Sequence, residues 1–114
     1  MNNIKTFEQL FEDEQQGPIV KFKRWTCSVQ KEEYQNNDRI SLDLQDVKTG
    51  EMVTVATVNV PEEDIEDDEV IIKTYGGNEG IVQALMKAKI ISAPIRMIDI
   101  GYAKDGGAVC KLLI

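Results

Sequence analysis

Seven of the eight residues from Glu62 to Glu69 carry a carboxylic acid: Glu62, Glu63, Asp64, Glu66, Asp67, Asp68 and Glu69, with only Ile65 between them. Without those seven, 13 acidic residues face 13 basic ones, so this segment holds the whole formal charge of −7. Carboxylates in such a run have three uses. They hold a divalent cation through oxygen, they dock a protein with a basic surface, or they form a solvated connection anchored by Ile65. An extended strand advances about 3.3 Å per residue, close to the ~3.4 Å spacing of phosphates along one DNA strand. The run therefore suits a groove built for nucleic acid. Against this, successive side chains point to opposite faces, and mutual repulsion favours a mobile loop that is poorly preorganised. The segment has no glycine for the sharp turn of a helix–loop–helix calcium loop. No resident metal and no other cofactor is expected.

Two further sets of residues invite chemistry. Gly76-Gly77-Asn78 precedes a helical pattern, and backbone N–H groups at such a turn can cradle an anion. No Gly-Lys-Ser/Thr follows, and Glu79 occupies the position an anion would take. A capped strand-to-helix turn is the plainer account. Trp25, the single tryptophan, stands among Lys21, Lys23, Arg24 and Lys31, with Phe22 beside them. Basic residues interleaved with aromatics bind single-stranded nucleic acid. However, a chain with a pI near 4.6 repels a polyanion at long range, so direct nucleic-acid binding is not expected. Trp25 then belongs to the core or to a protein-binding surface, or its basic strand pairs with the acidic segment.

Catalysis lacks its usual parts. There is no histidine, which removes the commonest general base and metal ligand together. Ser28, Ser41 and Ser92 have no evident base, nor do Cys27 and Cys110. The chain reads as a non-enzyme. Its two cysteines, each in a strand-like stretch, read as buried thiols, with a disulfide between neighbouring strands as the alternative.

These residues need elements to position them. A chain of 114 residues is one domain by size, and 42% apolar with 29% charged content excludes a disordered chain. No apolar run approaches the ~20 residues that span a bilayer, and the acidic start lacks a signal peptide's pattern. A cytoplasmic, membrane-free protein is expected. Thr6-Phe7-Glu8-Gln9 fits a capping box, with Phe7, Leu10 and Phe11 on one face of a first helix that Gly17-Pro18 ends. From Ile19 to Tyr34 the strand pattern slips phase, which predicts a β-bulge at Lys23-Arg24 or a strand covered on both faces. Ile40, Leu42 and Leu44 alternate with polar residues as a half-buried strand. Lys48-Thr49-Gly50 is a hairpin loop, and Met52 to Val60 a central strand. After the acidic connection 62–69, Val70-Ile71-Ile72 is a strand. A helix over about 78–89 then starts at Asn78 as N-cap, with Ile81, Val82, Leu85 and Met86 as its apolar stripe. A final hairpin turns at Lys104-Asp105-Gly106-Gly107. The expected fold is α+β: a single domain over 1–114 with a meandering antiparallel sheet of five to six strands and both helices on one face.

The run Glu69-Val70-Ile71-Ile72-Lys73-Thr74-Tyr75-Gly76-Gly77-Asn78-Glu79-Gly80-Ile81, continued by Ala84-Leu85 and Ile90-Ile91, resembles a known pattern. So do Thr57-Val58-Asn59-Val60-Pro61 before it and Val109-Cys110-Lys111-Leu112 after it. The pattern is that of a family of small uncharacterised proteins of bacteria, phages and other mobile elements, a domain of unknown function. In it a strand ending Lys-x-Tyr/Trp leads into Asn-Glu-Gly and a helix. This chain departs from it at Gly76-Gly77, where the family has a polar pair. The resemblance covers about the C-terminal two thirds and implies an accessory gene product. It carries over no activity.

Three functions follow as expectations. The first is protein–protein interaction, with Glu62, Glu63, Asp64, Glu66, Asp67, Asp68, Glu69 and Trp25 meeting a basic partner. Such a protein would inhibit a host nucleic-acid-handling or defence factor. The second is a homo-oligomer joined through sheet edges, for which Leu112-Leu113-Ile114 offers an apolar strand. The third is a small-ligand or divalent-cation binder at the acidic segment or at Gly76, Gly77 and Asn78.

Overall fold

The structure is a computed structural model and describes residues 17–114. The first helix expected from Thr6 lies outside the described residues. Seven strands and one short helix follow in the order β1 (Ile19–Phe22), β2 (Trp25–Glu33), β3 (Ile40–Asp46), β4 (Met52–Val55), β5 (Glu69–Lys73), α1 (Ile81–Lys87), β6 (Arg96–Ile100) and β7 (Ala103–Lys111). The strands form two antiparallel sheets, β1-β2-β3-β4 and β5-β7-β6. This corrects the expected single sheet of five to six strands with two helices: the described chain is mostly β.

Two misplaced turns explain part of the difference. The phase slip at Lys23-Arg24 is neither a bulge nor a doubly covered strand. The chain reverses there, and Phe22 pairs with Trp25. Lys23 adopts φ 55° at a position that normally takes Gly, Asn or Asp, so the usual sign of a turn is missing. The last hairpin turns at Gly101-Tyr102, where Ile100 pairs with Ala103 and Gly101 has φ 57°. Gly106 and Gly107 lie inside β7 instead. A Cβ on Gly107 would come within 2.8 Å of Ile98 and 2.9 Å of Ile71. That glycine serves close packing within the strand rather than a turn.

The expected strand Met52 to Val60 is also divided. β4 ends at Val55, and the next three residues cross from one sheet to the other. The Ala56 N–H donates to the Leu42 carbonyl (2.7 Å), while the Ala56 carbonyl accepts from the Lys73 N–H (2.8 Å). Thr57 bridges Ile72, and the Val58 N–H donates to the Ile71 carbonyl at 3.0 Å. One apolar core joins both sheets and the helix: Leu42 and Leu44 from β3, Val70 and Ile72 from β5, Ile81 and Leu85 from α1. The alternation read in β3 is present, with Leu42 and Leu44 buried.

α1 begins two residues later than expected, with Gly80 (φ 86°) as its N-cap and no side-chain cap. It ends in a Schellman motif. The Lys89 N–H donates to the Met86 carbonyl (3.0 Å) and the Ile90 N–H to the Leu85 carbonyl (2.9 Å), with the Ile90 and Leu85 side chains both buried. Exposed Lys89 takes φ 62° at the position that favours glycine. Left-handed backbone costs a residue with a Cβ about 1–2 kcal/mol, partly offset by the entropy that glycine loses. Lys89→Gly is expected to stabilise the fold by about 0.5–1 kcal/mol, seen as a higher urea midpoint at unchanged slope.

Cys27 and Cys110 are buried and free. Burial pushes the Cys110 thiol up to about 11. The Cys27 thiol is raised by burial and by the charge of Asp46. Native protein at pH 8 is therefore expected to show no thiol reactive to a disulfide reagent, and both on unfolding in guanidinium. The folded state holds the Cys110 proton more tightly than the unfolded chain, whose thiol titrates near 8.5. Its contribution to stability is whole below about pH 8.5 and is lost progressively towards pH 11. A native thiol reacting at the rate of the unfolded one would contradict this burial.

Candidate functional site

The acidic connection spans the gap between the sheet-crossing segment and β5. Around it converge the starts of β3, β5 and β6 and the end of β7. Its local shape follows from its own bonds. The Glu63 N–H donates to the Val60 carbonyl across Pro61 (3.0 Å). The Glu69 N–H donates to the Glu66 carbonyl (3.0 Å), and the buried Glu69 carboxylate accepts from the Glu66 N–H at 2.8 Å. That side chain closes the last turn. Ile65 is half-buried, as expected of the one apolar residue in the run.

Three cations from elsewhere in the chain hold this connection. Half-buried Arg39 forks onto two carbonyls, Val60 at 2.8 Å and Glu63 at 2.6 Å. Arg96 donates to the Glu63 carboxylate at 2.9 Å and to the Asp64 carbonyl at 2.7 Å. Lys111 pairs with Asp68 at 3.0 Å and Glu69 at 3.5 Å. Its ammonium pKa is raised, first by the hydrogen bond to Asp68 and then by the charges of both acids. Arg39 is itself placed by the turn at Asn36-Asn37-Asp38. The Asn37 side-chain carbonyl accepts from the Arg39 N–H (3.1 Å), while its amide donates to Asn59 (3.0 Å), which in turn donates to Asn36 at 2.9 Å.

Glu62, Asp64, Glu66 and Asp67 remain exposed, with no ion pair among the described residues. Between the connection and the β2–β3 turn lies a cleft of about 530 Å³, lined on its acidic side by Glu33, Asp38, Glu66 and Asp67. No group of three or more potential ligands is positioned to hold a metal ion among the described residues. The carboxylates surround the cleft and do not converge on one point.

The other candidate residues gather elsewhere. Trp25 starts β2 while Glu33 ends it, so the tryptophan lies about 26 Å from the acidic cleft at ~3.3 Å per residue. It is half-buried against the core, with the Arg24 guanidinium 4.9 Å from its ring centre. Its basic neighbour Lys23 turns to the glycine turn and not to the acidic segment. It donates to the Gly77 carbonyl at 2.7 Å and lies 3.9 Å from Glu79. Asn78 is only 1% exposed. Its carbonyl accepts from the Thr54 hydroxyl (2.7 Å), and its amide donates to the Val55 carbonyl (3.1 Å). Both polar groups of that side chain are engaged in tying the turn to β4, so neither is free to meet an anion at Gly76 and Gly77. The Leu112 and Leu113 N–H groups donate to the Asp68 and Ile90 carbonyls, both at 2.8 Å, which occupies the strand suggested for pairing between copies.

Sequence reasoning overlooked Arg39, Arg96, Lys111, Glu33 and Asp38. Arg39 had one signal, its place after an Asn-Asn-Asp turn; Arg96 and Lys111 had none. Among the described residues no helix is long and apolar enough to cross a membrane. No protein family model, no curated protein and no solved structure matches the chain.

Proposed function

We propose that this chain is a non-enzymatic accessory protein, of the kind found in phages and mobile elements, that docks on a basic protein partner through its acidic end. Inhibition of a host nucleic-acid-handling or defence factor is the role such docking suits. One observation carries the reading. Arg39, Arg96 and Lys111 hold the connection in place, yet four of its seven carboxylates stay exposed beside Glu33 and Asp38, unpaired among the described residues. Repulsion within an acidic run would otherwise leave it mobile, and a partner would have to order it. Fixing it beforehand removes that cost, and the exposed charge speeds encounter with a cationic surface.

The test replaces Glu62, Glu66, Asp64 and Asp67 by their amides, Gln or Asn. Among the described residues their side chains make no hydrogen bond or ion pair, so the fold is expected to be retained. Partner recovery in a pull-down is expected to fall at least tenfold, and wild-type recovery to fall as salt rises. Equal recovery of every partner by both proteins would sink acidic docking. Pairing of copies through a sheet edge is the second reading. β6 forms the outer edge of its sheet, with Met97 on it and Ile95 before it both exposed. Light scattering that shows only monomer at micromolar concentration counts against that one.

A further inference from the structure

β6 is the outer strand of its sheet, and no backbone hydrogen bond of Arg96–Ile100 runs to any element but β7 among the described residues. One side of the strand therefore presents N–H and C=O groups that only another extended backbone can pair in a ladder. Beside this edge lies a groove of about 360 Å³ between β6 and α1. Ile81, Val82, Pro94 and Met97 give it apolar walls, and Glu79 is the only charged residue among the described ones that line it. Acids stand at both ends of the edge. At its start Arg96 is neutralised by Glu63 (2.9 Å) and binds the Asp64 carbonyl, with the exposed Asp64 carboxylate beside it. Near its end stands exposed Asp99.

We infer that β6 takes an extended segment of a protein partner as one further strand, apolar on the face towards α1 and basic on the other. Three arguments select this occupant. The first is the backbone: strand addition to a sheet edge satisfies the open side of β6, which a helix or a small molecule does not. The second is the alternation of faces. Met97 lies opposite the core residue Ala108 and lines the groove, whereas Arg96, opposite Val109, turns to the acidic connection. A strand laid alongside alternates in the same way, so its apolar residues meet Val82 and Met97 and the residues between them meet Asp64. The third is charge, which selects a basic segment and disfavours a second copy. Antiparallel pairing of two β6 strands sets the start of one against the end of the other, Asp64 against Asp99, acid against acid. The basic character of the segment rests on the reading of the acidic end as a docking surface; its extended form does not.

The test uses the full chain and a fluorescent probe peptide of alternating lysine and valine, long enough to cover β6. Its fully N-methylated form keeps the side chains and the charge but has no backbone donor. The parent peptide is expected to bind, and to slow at least tenfold those β6 amides that exchange fast in the free chain. The N-methylated form is expected to bind at least tenfold more weakly. Equal binding of the two peptides, or unchanged β6 exchange in the complex, overturns strand addition and leaves acidic docking standing, since charge alone then binds. Absence of any binding by the parent peptide overturns the inference as well. Undiminished binding by the variant amidated at Glu62, Asp64, Glu66 and Asp67, with β6 still protected, supports strand addition and refutes acidic docking. Protection of β6 that rises with protein concentration in the absence of peptide would assign the edge to a second copy and overturn the inference.

Discussion

Replacing Arg39 by alanine is expected to cost about 2–3 kcal/mol and to free the acidic connection while the two sheets stay folded. The guanidinium makes two hydrogen bonds, to the carbonyls of Val60 and Glu63. Bonds to a charged group contribute about 1.5–3 kcal/mol each, and the half-exposure of Arg39 lowers their sum because water competes for both carbonyls. A lowered urea midpoint measures the cost. Hydrogen exchange at Glu63, Glu66 and Glu69, whose N–H groups hold the connection's turns, reports the release and is expected to quicken at least tenfold. Arg39→Lys recovers only part of the loss, because an ammonium cannot fork onto two carbonyls in a fixed plane. Unchanged exchange at those three amides in the alanine variant would refute the clamp. If exchange quickens and partner recovery also falls, preorganisation contributes to docking. If exchange quickens alone, exposed charge suffices.

Asn78→Leu is the second large effect, a loss of about 2–4 kcal/mol. Leucine fills a similar volume, so the cost is polar: the Thr54 hydroxyl loses its acceptor and the Val55 carbonyl its side-chain donor, both supplied by a side chain only 1% exposed. Asn78→Asp separates this account from simple crowding. An ionised carboxylate still accepts from Thr54 but faces the Val55 carbonyl oxygen with nothing to donate. Burial and that oxygen both favour the protonated acid, so the folded state binds its proton more tightly than the unfolded chain does. The variant is therefore expected to recover stability relative to wild type as pH falls through the carboxylate range, and to lose it as pH rises. Asn78→Leu has no such proton and is expected to run parallel to wild type. Parallel behaviour of the aspartate variant would show that its carboxyl does not face Val55.

What the sequence made legible was local. The alternation of Ile40, Leu42 and Leu44, the glycine after Lys48-Thr49 and the stripe of Ile81 and Leu85 each depend on residues a few positions apart. The structure has a strand, a turn and a helix there. The half-burial of Ile65 is of the same kind. The division into two sheets depends on Ala56 to Val58 exchanging partners, and β-branched residues on both sides of Val55 give no sign of it. The turn at Lys23 was hidden because a lysine took the place of a glycine. The clamp was hidden for another reason. Arg39 meets Glu63 across 24 positions, Arg96 meets it across 33, and Lys111 meets Asp68 across 43. No pattern confined to a few neighbours carries such a pairing, and a formal charge count had assigned those cations to the neutral remainder.

The separation of these charges along β2 has a physical consequence. Lys21, Lys23 and Arg24 cluster at the β1–β2 turn, and the acidic connection lies beyond the far end of β2. Among the described residues these charges form a dipole whose negative pole coincides with the proposed docking surface. A cationic partner exerts a torque on it before any contact forms, turning the acidic end forward. In 0.1 M salt the screening length is about 10 Å, shorter than the ~26 Å between the poles. The positive pole is then screened from a partner approaching the negative one, so the last stretch of approach is governed by the acidic end, Glu33 and Asp38 included.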